Sequence, residues 1–167
     1  MDRVRRGMLF PVRPIAPRST LRRALFVTEE LQSVLVSPEG DEAWERRIAT
    51  LRADLEVFVE ARTIDPKYLF LLYPTARGVW EIRSVRENPS MRVLGFFPLK
   101  DVFVATNVAL REDLGGWQSR AWKQVKRHAG ARWRGLFHTY RPIITADVSQ
   151  VVTGAIDGRY FKGFTHS

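Results

Sequence analysis

Between residues 68 and 108 the chain runs through four short apolar stretches separated by turn-length breaks, and this block limits the fold more than any other part of the sequence. Residues 68–73 lie between Pro66 and Pro74. Residues 79–85, 91–97 and 102–108 follow, with Arg86-Glu87-Asn88-Pro89-Ser90 and Pro98-Leu99-Lys100-Asp101 between them. Each run has strand length and each break carries turn residues, so consecutive antiparallel hairpins are expected. Helical patterns stand on either side. Trp44, Ile48, Leu51, Leu55 and Phe58 recur at spacings of four and three, an apolar stripe that predicts a helix ending near Arg62. Its start falls at Ser37-Pro38-Glu39, or at Asp41 as the cap directly after Gly40. A second helix is expected from about Trp117 to Trp133, after the Gly115-Gly116 break. Trp122, Val125, Ala129 and Trp133 lie on one face, and Arg120, Lys123, Lys126 and Arg127 largely on the other. The order helix, strands, helix predicts an α+β domain, with an antiparallel-rich sheet of about four strands packed against helices.

The flanks are less defined. Pro11, Pro14 and Pro17 among arginines predict an unstructured, extended basic arm over residues 1–20. Residues 21–36 fit helix and strand equally. Residues 142–167 have no firm period and stay unassigned. The N-terminal apolar run is too short and Pro-broken for a signal-peptide core, and no run is long enough to span a bilayer. Zero cysteines exclude disulfides and thiolate metal sites and suit a reducing cytoplasm.

Net charge is +9, and it is segregated. Residues 1–23 carry +6, residues 24–66 carry −6, residues 67–110 carry +3 and residues 111–141 carry +6. Positive charge gathered in the N-terminal tail and in the second half favours a polyanion such as RNA or DNA. The plain alternative is a solvated surface.

Near-symmetric turns would place Arg83 opposite Arg92, and Arg92 opposite Asn107. Strand alternation then puts Trp80, Ile82, Met91, Val93, Phe97, Val102, Val104 and Val108 on one apolar face that packs on helices. Glu81, Arg83, Arg92, Leu94, Phe96, Phe103 and Asn107 take the other. Two arginines directly opposite repel. Either an anion relieves them or Glu81 bridges both.

Three strand motifs stand here in order: Gly78-Val79-Trp80-Glu81-Ile82-Arg83, then Met91-Arg92-Val93-Leu94-Gly95-Phe96-Phe97, then Asp101-Val102-Phe103-Val104-Ala105-Thr106-Asn107. They resemble the core of the RelE/HigB-like toxins of the RelE/ParE superfamily, over roughly residues 42–137. The resemblance implies a RelE-like toxin domain over residues 21–141. It also implies a type II toxin–antitoxin role as a metal-independent mRNA endoribonuclease on translating ribosomes, with no cofactor and with a cognate antitoxin. Arg83 and Arg92 become phosphate clamps and Arg111 a third catalytic candidate, since an arginine fork matches phosphate oxygens. Lys100, Asn107, Arg120, Lys123, Lys126 and Arg127 are the expected RNA-binding residues. The chain departs from the family where Leu110-Arg111-Glu112-Asp113 replaces a Lys-Lys-Thr-Pro-like stretch. A non-catalytic basic binding module and a gyrase-inhibiting ParE-like toxin stay open. His128, His138 and the tryptophans Trp122 and Trp133 fit surface or packing roles; the histidine spacing suits no metal.

Overall fold

Asp41 starts the long helix: its carboxylate accepts the Trp44 backbone N–H at 2.9 Å, filling a donor that has no partner within the helix. In the computed structural model, which describes residues 2–163, this helix (α3) runs Glu42–Glu60. Ile48, Leu51, Leu55 and Phe58 are buried against the sheet along the expected stripe. A shorter helix, α2 (Glu29–Val36), packs beside it.

Among the described residues one mixed sheet has six strands, not about four. β1 is Leu9–Pro11, β2 Ala24–Thr28, β3 Leu69–Leu71, β4 Trp80–Ser84, β5 Met91–Leu99 and β6 Val102–Leu110, in the order β1-β2-β6-β5-β4-β3. The four expected strands are β3 to β6, each antiparallel to the next. The extra pair comes from the ambiguous stretch and the arm. β2 lies parallel to β6 and passes at Thr28 straight into α2, so one apolar run is half strand and half helix. Three residues of the arm, Leu9–Pro11, pair with β2 at the sheet edge, and a four-residue helix, α1 (Asp2–Arg5), precedes them. Pro11 at the end of an edge strand removes no interior ladder bond.

The expected register holds at Arg83↔Arg92 and fails beyond it. Arg92 faces Ala109, not Asn107. The β5–β6 turn is tighter than a symmetric four-residue loop, with Leu99 opposite Val102 and Asp101 at φ 62°. Leu94 pairs with Asn107 but Gly95 with Ala105, so Thr106 is an extra residue in β6, a β-bulge. Past a bulge every side chain changes face. Phe103 therefore joins the α3-side core and Val104 the opposite one, the reverse of unbroken alternation. Gly95 is required there, because a Cβ would come within 2.3 Å of the Val104 carbonyl oxygen.

The second face is not open. It is covered by α5 (Arg120–Phe137), which follows a short helix α4 (Arg111–Leu114). Trp122, Ala129 and Trp133 pack on Leu94, Phe96 and Val104. Ser119 caps α5, its Oγ accepting the Trp122 N–H at 3.1 Å and donating to the Leu114 carbonyl. The result is three layers: α2 and α3, the sheet, then α5.

Most of the unassigned C-terminal stretch forms a strap; residues 164–167 lie outside the described residues. Ile143 N–H donates to the Phe97 carbonyl, and Asp101 N–H to the Val151 carbonyl, both at 2.8 Å. Val151, Val152 and Tyr160 are buried in the α3-side core. Buried Arg23 donates to the carbonyls of Phe58, Ala61 and Thr153, tying β2, the end of α3 and the strap together. The strap ends beside β3, where Leu71 N–H donates to the Tyr160 carbonyl at 2.7 Å. No helix of the described residues is long and apolar enough to cross a membrane.

Candidate phosphate-binding pocket

Arg83 and Arg92 point to the α5 side from adjacent strands, with Glu81 two residues before Arg83 on the same face. Glu81 is 2% exposed. Its Oε1 accepts from Arg83 Nε at 2.6 Å, and its Oε2 lies 3.6 Å from Arg92 Nε without a hydrogen bond. Glu81 thus bridges both arginines, one of the two ways of relieving their repulsion. It does not neutralise the group. Arg111, at the start of α4, lines the same cavity, as do Lys126 of α5 and Lys162 of the strap. Among the described lining residues five cations face one carboxylate.

Each cation is positioned. Arg92 donates to Ser90 Oγ at 2.8 Å and to the Met91 carbonyl at 3.2 Å. Arg111 donates to the Gly115 carbonyl at 2.9 Å, and its N–H bonds the Ser90 carbonyl. Lys126, buried although helical spacing puts it on the polar face, donates to the Tyr73 carbonyl. The β4–β5 turn that carries Ser90 is itself anchored, because Arg47 of α3 donates to the carbonyls of Pro89 and Ser84 at 2.5 and 3.0 Å. Aromatic rings wall the cavity. The Arg83 guanidinium lies 4.2 Å from the Phe70 ring centroid, Lys162 Nζ lies 4.6 Å from that of Trp117, and Trp117 meets Tyr73 edge-on.

This arrangement strains the charged forms. Burial pushes the Arg92 guanidinium below its usual range; Glu81 opposes the shift, and Arg83 and Arg111 add to it. Lys126 is lowered by burial and then by Arg77 and Lys123. An anion in the cavity would relieve both, since charge buried away from solvent is stabilised by an opposite charge close by. The cavity volume is about 710 Å³ for the groove between α2 and α5 but only about 210 Å³ here. That is below the usual range of small-molecule pockets, about 300–1,000 Å³, and suits a single compact group.

The expected site residues divide. Arg83, Arg92, Arg111 and Lys126 come together. Asn107 turns inward: its Oδ1 accepts from Thr106 Oγ1 at 2.8 Å and its amide donates to the Val125 carbonyl at 3.4 Å, which docks α5 on the sheet. Lys100 is exposed in the β5–β6 turn, about 26 Å along the strand from Arg92 at ~3.3 Å per residue. Arg120 and Lys123 are exposed on α5 outside this cavity, and Arg127 lines a separate cleft along the C-terminal half of the helix. Lys162, Tyr73 and Phe70 join the site without any signal in the sequence. Lys162 follows a stretch with no period, and the other two belong to a strand and a loop whose placement depends on β4.

No protein-family model, curated protein or solved structure matches this chain.

Among the described residues no histidine lines it; His128 lies beside Glu30 on the far side of α5, and His138 beyond the helix end. Tyr73 does line it, and of the described residues there it is the one neutral side chain able to give or take a proton.

Proposed function

We propose that this chain is a RelE/HigB-like toxin, a metal-independent mRNA endoribonuclease acting on translating ribosomes, and that its arginine pocket holds the scissile phosphate. One observation carries the reading: the three arginines singled out by the family resemblance, from β4, β5 and α4, line a single phosphate-sized cavity. In the reaction the RNA 2′-oxygen bonds to the adjacent phosphorus as the P–O5′ bond breaks. One fragment ends in a 2′,3′-cyclic phosphate and the other begins with a 5′-hydroxyl. One proton leaves the 2′-hydroxyl and one reaches the 5′-oxygen. Arg83, Arg92 and Arg111 stabilise the extra charge on the phosphoryl oxygens, the term that usually contributes most to such catalysis. Glu81 fixes the forks in place. Tyr73 lines the cavity and would protonate the leaving 5′-oxygen, while water takes the proton of the 2′-hydroxyl. A cognate antitoxin with acidic character would cover the same basic face.

The test is induced expression in a bacterial host with mapping of mRNA 5′ ends, wild type beside R83A/R92A. The expected result is growth arrest with new cleavage sites that the double variant loses by about 100-fold or more, the typical cost of removing a preorganised donor. Full toxicity in a folded double variant would overturn the clamp. The absence of histidine from the described pocket lining favours one second reading, a binding module that retains RNA without cutting it. Steep salt dependence with no product would identify it.

A further inference from the structure

The pocket is too small for a nucleotide, so an RNA strand whose phosphate sits there must lie elsewhere along the surface. A second cavity of about 880 Å³ adjoins it, and Lys126 lines both. It runs along the C-terminal half of α5, and its charged lining is uniform: Arg77, Lys126, Arg127, Arg134 and Arg141, with no carboxylate among the described lining residues. The groove on the other flank of the same helix holds Glu30 and Asp113, so the two sides of α5 differ in sign. Phe96 and Trp133, with ring centroids 5.2 Å apart, form an apolar floor. The C-terminal rim is held over that floor by an unusual turn. His138 ends α5 at φ 44°, a conformation a non-glycine residue adopts only under constraint. The chain then doubles back, Trp133 Nε1 donates to the Tyr140 carbonyl at 2.9 Å, and the Tyr140 hydroxyl donates to the Pro98 carbonyl at 3.1 Å. The Tyr140 ring is thereby fixed yet half exposed.

We infer that this cleft is a second subsite for single-stranded RNA, holding the nucleotides that flank the clamped phosphate, with Arg134 and Arg141 on the backbone and Tyr140 stacked on a base. The inference rests on the ribonuclease reading and extends the same site. From Lys126 to Arg134 the helix rises about 12 Å at ~1.5 Å per residue. That is the length of roughly three stacked nucleotides at about 3.4 Å each. A duplex keeps its bases paired and stacked away from such rings, whereas a single strand offers them.

The experiment is fluorescence anisotropy on the full chain with uncleavable 2′-O-methyl oligouridines of two and eight nucleotides, over a salt series. The octamer should bind at least tenfold more tightly than the dimer. R134A/R141A should remove that gain and lower the log–log salt slope by about 1.4, at ~0.7 for each phosphate no longer neutralised. Y140L should weaken the octamer at least fivefold and leave the dimer unchanged. Arg134 and Arg141 are exposed, so thermal melts should match wild type; R134E serves as the second variant. Equal affinity for both lengths, a full length gain in R134A/R141A, or tighter binding of an eight-base-pair duplex would overturn the cleft. Cleavage of natural RNA without any length gain would overturn the cleft and keep the ribonuclease. A length gain that R134A/R141A abolishes, with natural RNA left intact, would keep the cleft and overturn the ribonuclease.

Discussion

Replacing Glu81 by Gln would leave Arg83 and Arg92 facing each other across the strands with no countercharge, beside Arg111. Breaking a buried ion pair from one side costs about 3–5 kcal/mol, and a loss of that order is expected in urea unfolding of E81Q. Added phosphate should recover more of it in the variant than in wild type, because the anion then replaces the missing carboxylate. Lys126 gives a pH signature. Its folded pKa lies below the ordinary lysine value, so between the two the unfolded chain binds more protons and stability rises with pH. The gain should appear from the lowered pKa up to about 10.5, and K126M should show a smaller alkaline rise in urea midpoint. The opposition of the two arginines is one residue away from what the turn length gives: a symmetric five-residue turn would set Arg83 opposite Val93, and Val85 joins the turn to bring it opposite Arg92. The burial of Lys126 is not readable, because helical spacing places it at the margin of the polar face and only the sheet beneath decides the matter.

The elements are legible where one period rules. In α3 four apolar residues at helical spacing are all buried, and L55A should cost about 2–5 kcal/mol in chemical denaturation, the usual range for emptying a core leucine site. β2 and α2 share a single apolar run, and no periodicity marks the change of structure at Thr28. The bulge at Thr106 is equally hidden, since a threonine in a strand reads as an ordinary alternating residue. Its trace is Gly95 across the ladder, where the backbones and the Phe103 ring come close. G95A should destabilise the fold by about 1–3 kcal/mol through overpacking, measured by thermal melting. A wild-type melting temperature would show that β6 can shed its extra residue. The tight β5–β6 turn also limits what the sequence says of the site: it sets Asn107 opposite Leu94 instead of Arg92, and there the side chain docks α5.

At the scale of the molecule the sheet separates two kinds of surface. The acidic stretch, residues 24–66, contributes α2 and α3 on one side, and the basic second half contributes α5 on the other. That division is visible as charge blocks along the sequence; the strap is not, for it has no secondary-structure period and is held by single hydrogen bonds to distant carbonyls. Removing residues 148–163 should lower the melting temperature markedly, because Val151, Val152 and Tyr160 leave the core, whereas K162A should melt as wild type. The strap follows in sequence every strand and helix it closes upon. Because a chain is synthesised from its N-terminus, the sheet, α3 and α5 emerge before the segment that seals the core and brings Lys162 to the pocket. The order of synthesis thus leaves the pocket one cation short until every strand and helix that frames it has emerged.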